Sequence, residues 1–471
     1  MRRHLAAASF ILTAGLAQAA PPAKPASADE QAFRALYKQL VEINTTLSVG
    51  SCTAAAEAMA ARLAAAGLPR SNMQILTPPD RPKDGALIAL YPGTDAKAEP
   101  ILLLAHLDVV EARREDWQRD PFTLVEEDGF FYARGSSDDK AMAAVFTDSL
   151  IRYRQEGFKP RRGIKLALTC GEETSETFNS VEWLLRTKPE TLKAAFVINE
   201  GAGGELNAKG EPVALQVQAG EKVYQDFLLE ITNPGGHSSR PVRENAVVQL
   251  SGALERIGAY QFPIRLNPIT RAYFSKQAEL VAPDVAADMQ AVLQDPPDAQ
   301  AAQRLWTRNP AWNGTLRTTC TPTMVEGGHA PNALPQRARA NVNCRILPGE
   351  PIASVQEQLV KLIADDKIAI SLVGGEGLAS SPPQLSREIL DPVRKVAEKI
   401  WPGVAVVPTQ STGATDGRFL NAAGIPTYGI SGMFHDAEGS RAHGLNERIR
   451  VKSLLDGRRF LHELVKRYAE Q

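Results

Sequence analysis

The sequence predicts an α/β protein: a central mixed, largely parallel sheet covered by helices on both faces, interrupted by a smaller α+β unit. Three observations predict it. Short apolar runs at 86–91, 101–108, 130–134, 164–169 and 194–198 alternate with helical patterns, the order of βαβ units. The run 101–110, ILLLAHLDVV, opens as continuous apolar sequence, the pattern of a strand buried on both faces. From about 224 to 372 the order changes to strand, helix, two strands, helix, strand, which is the ferredoxin-like split βαβ arrangement.

Taken in order, 29–42 is an amphipathic helix with Phe33, Leu36, Tyr37, Leu40 and Val41 on one face. An alanine-rich helix at 53–66 is stopped by Gly67 and Pro69. After the strand at 130–134 comes Gly-Ser-Ser-Asp-Asp-Lys, then a helix at 140–153 with Met142, Val145, Phe146 and Leu150 inward. The strand at 164–169 runs into Gly171-Glu172-Glu173, a helix starts at 179, and the strand at 194–198 ends at Asn199-Glu200. In the second unit, strands at 224–232, 316–324, 337–346 and 368–372 accompany helices at 245–257 and 352–363. A polar, proline-spotted stretch at 267–312 is read as an insertion. A helix at 387–400, a strand at 425–430 and a helix at 448–468 return to the first unit. The expected division is a leader at 1–20, a principal domain from 21–218 and 377–471, and a second domain at 219–376.

Composition narrows the function. A length of 471 residues suggests two domains or more, and 44% hydrophobic with 23% charged residues is ordinary globular composition. A net charge of -1 argues against nucleic acid as a partner, since phosphate binding needs a basic surface. Met1-Arg2-Arg3, the apolar 5–16 and Ala17-Gln18-Ala19 form a cleavable signal pattern, too short to span a bilayer, which predicts a periplasmic or secreted protein. Of the four cysteines, Cys320 and Cys344 could lie on neighbouring strands and are the one candidate pair, with the bridge itself left open. No CxxC spacing exists, which argues against a thiolate zinc site.

Each short acidic motif falls where a strand ends, and in open α/β sheets that edge is where ligands bind. His106 and Asp108 are two apart, so an extended chain points them the same way, a metal ligand with the carboxylate that orients it. Asp138, Glu172 with Glu173, and Glu200 follow at other strand ends, and His443 joins them from Ala442-His443-Gly444-Leu445-Asn446-Glu447. Imidazole and carboxylate donors suit zinc, with cobalt or manganese as substitutes. Two histidines and three carboxylates suffice for two ions if one carboxylate bridges, and one further acid should stay off the metals to take a proton from water. Arg134 and Lys140 read as loop anchors. His329, His435 and Asp436 read as solvated loop residues, and His462 as structural.

HLD, RGSSDDK, GEE, GGHSS, PNALPQ and AHGLNE, in this order, resemble the dinuclear zinc exopeptidase and aminoacylase family, which includes carboxypeptidase S, glutamate carboxypeptidase, carnosinase and succinyl-diaminopimelate desuccinylase. The resemblance covers nearly the whole mature chain. It implies a zinc-exopeptidase-like catalytic domain with an inserted lid and dimerisation domain. It implies that His106, Asp138 and Glu200 hold one zinc ion and Asp138, Glu173 and His443 the other. Glu172 would be the general base and Asp108 the orienter of His106. The Asp138–Asp139 peptide bond is expected to be cis. His237 is expected to reach the partner subunit's active site and stabilise the oxyanion. Asn332, Arg345 and the turn beginning at Gly413 are expected to meet the substrate's carbonyl and carboxylate.

Some relatives have Asp-Glu-Gly where this chain has Asn199-Glu200-Gly201, so the ligand is Glu200 or its neighbour; Glu200 supplies the carboxylate. The expected function is an exported, zinc-dependent carboxypeptidase or dipeptidase that cleaves an amide next to a free carboxylate. An N-acyl-amino-acid amidohydrolase is the alternative, and a non-catalytic binding homologue the remote one. No G-x-S-x-G elbow appears, which argues against a serine hydrolase. Expected partners are a small peptide or N-acyl amino acid and a second copy of the chain.

Overall fold

The computed structural model of the chain describes residues 26–174, 177–379 and 381–471. The expected leader at 1–20 lies outside them. The strand Ile101–His106 lies inside a ten-stranded sheet, with parallel neighbours Ile164–Thr169 and Phe196–Asn199 on its two sides. Its residues alternate between two cores. Ile101, Leu103 and Ala105 pack with the helices Ala28–Glu42, Cys52–Ala65, Lys140–Glu156 and Val451–Glu470. Leu102 and Leu104 pack with Ser180–Thr187 and with Leu420 of Gly417–Ala422 on the other face. A strand covered on both faces must be apolar at every position, which is why the run carries no polar alternation.

The sheet is mixed. Met73–Leu76, Ala86–Tyr91 and Ile164–Thr169 pair antiparallel at one side. At the other, Thr427–Gly429 leads to the ten-residue Pro212–Glu221, which Ala405–Ser411 joins in parallel. Neither of those last two strands was expected from the sequence. Helix starts are set by local chemistry: the side chains of Ser27, Ser51 and Asn179 accept from backbone N–H groups of the first turn.

The smaller sheet has the order Thr319–Gly327, Arg337–Ile346, Val223–Thr232, Ala369–Val373, all antiparallel. Its inward residues share one core with Ala246–Ala259 and Ile352–Ile363, the expected ferredoxin-like packing. The stretch read as a polar insertion, to which no elements were assigned, forms four helices, Pro268–Gln277, Pro283–Ala291, Ala299–Arg308 and Pro310–Leu316. Their apolar faces share a core with Ala214 and Val407 of the large sheet and with no residue of the small one.

Cys320 and Cys344, the candidate pair, form a disulfide on opposed positions of neighbouring strands. Cys52 and Cys170, not expected to pair, form a second disulfide across 118 residues. It joins the start of a helix to the strand end that leads into Glu172. A loop that long restricts the unfolded chain strongly. The Cys52→Ala/Cys170→Ala protein should therefore lose about 3–5 kcal/mol of unfolding free energy. Denaturant titration checks this, and an unchanged midpoint would show that the bridge constrains nothing. Among the described residues, no helix is long and apolar enough to cross a membrane.

Candidate dinuclear metal site

The sheet brings the sequence-distant acids together by ending several strands at one edge. His106 closes its strand, Glu173 follows Ile164–Thr169, and Glu200 follows Phe196–Asn199. Asp138 lies in the turn before Lys140–Glu156, and its peptide bond to Asp139 is cis, as the resemblance implied. His443 comes from a loop with positive φ at Arg441, His443 and Asn446.

Two groups result. His106 Nε2 is 3.1 Å from Asp138 Oδ1 and 3.6 Å from Glu200 Oε2. His443 Nε2 is 3.2 Å from Asp138 Oδ2 and 2.9 Å from Glu173 Oε2. Asp138 thus turns one carboxylate oxygen to each histidine. In each group the donor atoms lie within 4.8 Å of one another. Imidazole and carboxylate at that spacing fit a divalent ion of the zinc, cobalt or manganese type, and the shared Asp138 fits two. The electrostatics agree. Burial opposes a charged His106, yet Glu200 and Asp138 push its imidazole well above its ordinary value. Asp138 and Glu173 push His443 up to about 10. The edge attracts positive charge.

Glu200, and not Asn199, stands in the first group. Asn199 belongs to the strand and donates to Thr415 Oγ1 at 3.0 Å. Glu172 stands in neither group. Burial raises its carboxyl well above the usual range, and Glu200, Asp416 and Glu173 nearby add to this.

The reading of Asp108 needs correction. His106 Nδ1 meets the main-chain oxygen of Asp108 at 3.0 Å, while the carboxylate stands 3.7 Å away. That carboxylate instead accepts the N–H of Glu173 at 3.0 Å. The strand ends at His106, so side-chain alternation no longer governs residue 108. Asp108 therefore fixes the neighbouring acid loop with its side chain and His106 with its backbone.

The second-domain residues stand apart from both groups. His237 is exposed, and its Nδ1 is hydrogen-bonded to Ser239 Oγ at 2.8 Å. Asn332 accepts the N–H of Ser238 through its backbone. Arg345 lies over the Tyr224 ring at 4.5 Å, with Nε donating to Asn343. Gly413 donates its N–H to Ser411 Oγ at 3.0 Å.

Two contributors, Glu447 and Glu221, were not read from the sequence. Glu447, fully buried, accepts the N–H groups of Gly135, Ser137 and Asp138 and pairs with Arg134 at 2.8 Å. It was quoted in AHGLNE without a role. Lys140 does anchor its loop, donating to the Ile43 carbonyl at 2.7 Å. Glu221, the last residue of Pro212–Glu221, accepts the Thr415 N–H at 2.7 Å and lies buried near Glu200. His435, read as solvated, rests against Gly203, where burial holds its imidazole below the ordinary range.

Glu221 carries a pH prediction. Burial raises its carboxyl to about 8 from 4.5. The folded chain keeps a proton that the unfolded chain releases from about pH 4.5 upward. Stability is therefore lost as the pH rises through that window to about 8. Glu221→Gln cannot lose that proton. Its gain over the parent should be near zero at pH 4.5 and grow to about 2–4 kcal/mol at pH 8. Denaturation at both pH values checks this, and an equal difference at each would refute it.

Comparison with known proteins agrees with this geometry. Residues 102–467 match the model of peptidase family M20/M25/M40. The human N-fatty-acyl-amino acid synthase/hydrolase PM20D1 is 29% identical over 381 residues, covering 79% of this chain and 75% of that protein. The probable carboxypeptidase S-like 2 of Dictyostelium discoideum is 26% identical over 390 residues, covering 81% and 74%. The M20 family metallo-carboxypeptidase Sso-CP2 from Sulfolobus solfataricus has the same fold, with a TM-score of 0.68 at 19% identity over 93% of this chain and 99% of that one. The chain belongs to peptidase family M20/M25/M40 and is a metallohydrolase acting on peptide or amide C–N bonds.

Proposed function

We propose that this protein is an exported, zinc-dependent hydrolase of an amide bond next to a free carboxylate, a carboxypeptidase or dipeptidase. The observation that carries the reading is the pair of ligand groups sharing Asp138, with the buried acid Glu172 beside them and in neither. His106, Asp138 and Glu200 would hold one ion, and Asp138, Glu173 and His443 the other. Two bound ions would polarise the scissile carbonyl and make water acidic enough to attack near neutral pH.

Glu172 takes the proton of the attacking water as its oxygen bonds to the carbonyl carbon. It then gives that proton to the departing nitrogen as the C–N bond breaks. Asp108 keeps the Glu173 backbone in place through its carboxylate. Burial lowers the affinity of Arg345, from the small sheet, for its proton; Tyr224 and Asp226 raise it, and a smaller repulsion from Arg418 of the 413–418 turn lowers it. A substrate carboxylate set between two guanidinium groups relieves that repulsion, which supports the carboxylate requirement. His237 and Asn332 would complete the site on closure or from a second copy of the chain. Sedimentation tests this: a monomer at full activity removes the role of His237 across subunits.

A second reading is favoured by the human relative, whose name includes N-fatty-acyl-amino acid hydrolase: the same ions and base cleaving an N-acyl amino acid. Hydrolysis of a panel of dipeptides and N-acyl amino acids, with zinc and after chelation, tests both. Chelator-sensitive cleavage supports the metallohydrolase, and the better substrate set decides between them. No cleavage of either set by protein carrying two ions rejects both.

A further inference from the structure

A cavity of about 210 Å³ opens beside Asp138 and Glu200 and is backed by Met142, Met433 and His435. No step of the mechanism above uses it. Glu200 also borders a second hollow of about 10 Å³, lined by Gln218, Glu221, Thr415 and Gly417, which is too small for more than a water. An amide placed across the ions must send its acyl group one way and its carboxylate-bearing amine the other. The methionine-backed cavity is lined by Asp138, Asp139 and Glu200 and by no lysine or arginine, so it disfavours the free carboxylate and suits the acyl group.

From this we infer, resting on the amide-hydrolase reading above, that the cavity is the acyl subsite, and that it takes a neutral acyl group of medium size. The lining decides the chemistry. It contains no lysine or arginine. Ser431 Oγ donates to the Ala202 carbonyl at 2.9 Å and accepts the Met433 N–H, and Ser440 Oγ accepts the Ala442 N–H. Met142 and Met433 present buried thioethers, which adapt to varied apolar shapes. The His435 ring fits because residue 203 is glycine: a Cβ there would meet its Cδ2 at 3.1 Å and the Met433 carbonyl at 2.7 Å. Burial keeps that imidazole neutral. A carboxylate-tailed acyl group such as succinyl would meet the acids of the lining and no lysine or arginine.

Size follows from volume. A cavity of about 150 Å³ accepts benzene. One of about 210 Å³ takes a phenylacetyl group or a straight chain of roughly six to eight carbons, and a longer chain leaves its tail in solvent.

The test is an acyl series on one amino acid, from acetyl to palmitoyl plus succinyl, with zinc-loaded protein. Expected is a rise in kcat/KM of up to about fourfold per methylene as far as roughly eight carbons, then a plateau. Succinyl should fall at least about tenfold below butyryl, the equally long neutral chain. Ser440→Phe fills the mouth and should lower the octanoyl-to-acetyl ratio about tenfold or more. His435→Ala enlarges the cavity and should move the plateau about two methylenes outward. Two variants of opposite effect, each checked for zinc content and melting temperature, guard against misfolding. A flat series, a rise continuing to palmitoyl, or a ratio untouched by both variants overturns the subsite while leaving the hydrolase standing. A parent protein that cleaves neither this series nor dipeptides overturns the hydrolase reading and the subsite with it.

Discussion

Glu172→Gln protein is expected to cleave its amide substrate about 10²- to 10⁴-fold more slowly than the parent while keeping its full complement of metal. Glutamine has the shape of glutamate and cannot take up a proton, so the substitution removes the transfer and little else. Glu172 stands outside both ligand groups, so ion content should not follow activity down. Its acid is crowded by Glu200, Asp416 and Glu173, and a neutral amide relieves that crowding. The folded protein should therefore be no less stable than the parent. The loss belongs in kcat, because the acid acts on the proton of the attacking water rather than on substrate binding. Kinetics and metal analysis on one preparation decide the matter. Near-normal kcat removes Glu172 from the base role, and joint loss of metal and activity makes it a ligand.

What the sequence disclosed divides along a physical line. His106, Asp138, Glu173 and Glu200 were legible because each stands at or soon after a strand that stops, and His443 through the AHGLNE stretch. The cores of both sheets were legible because period-two and helical patterns are local. The failures come where a local rule was carried past its range or where distance mattered. Asp108 was aimed at His106 by strand alternation, but the ladder ends one turn of the pattern too early. The insertion at 267–312 was given no helices because Pro268, Pro283 and Pro310 spot it. Each of these opens a helix, where a missing N–H costs nothing, and Asn267 and Asn309 cap two of those starts. Ala405–Ser411 hid behind Pro408, within a strand that lies at the margin of the main path. Cys52 and Cys170 are 118 residues apart, and only the folded sheet places them together.

Glu447 is the clearest case of that last kind, and it carries the second large effect. Oε1 accepts from the backbone N–H of Ser137 at 2.8 Å and of Asp138 at 3.0 Å. Oε2 accepts from Gly135 N–H at 3.0 Å and Arg134 Nη1 at 2.8 Å. Arg134 in turn reaches the carbonyl of Gly444 at 3.1 Å. One buried pair therefore clasps the turn carrying Asp138 to the loop carrying His443, two segments about 310 residues apart in sequence. Glu447→Ala would leave a buried guanidinium and three backbone donors unpaired, at about 3–5 kcal/mol of stability. It should also weaken metal binding about 10- to 100-fold, because the shared ligand and His443 lose their common support. A double replacement, Arg134→Met/Glu447→Gln, separates the two effects. Removing both charges should recover much of the stability, while metal affinity stays low because one amide oxygen cannot serve three N–H groups. Denaturation curves and zinc titration measure the two quantities independently. Metal affinity that recovers together with stability would reduce Glu447 to an ordinary structural acid; affinity that stays low makes it the residue that sets the spacing of the two ligand groups.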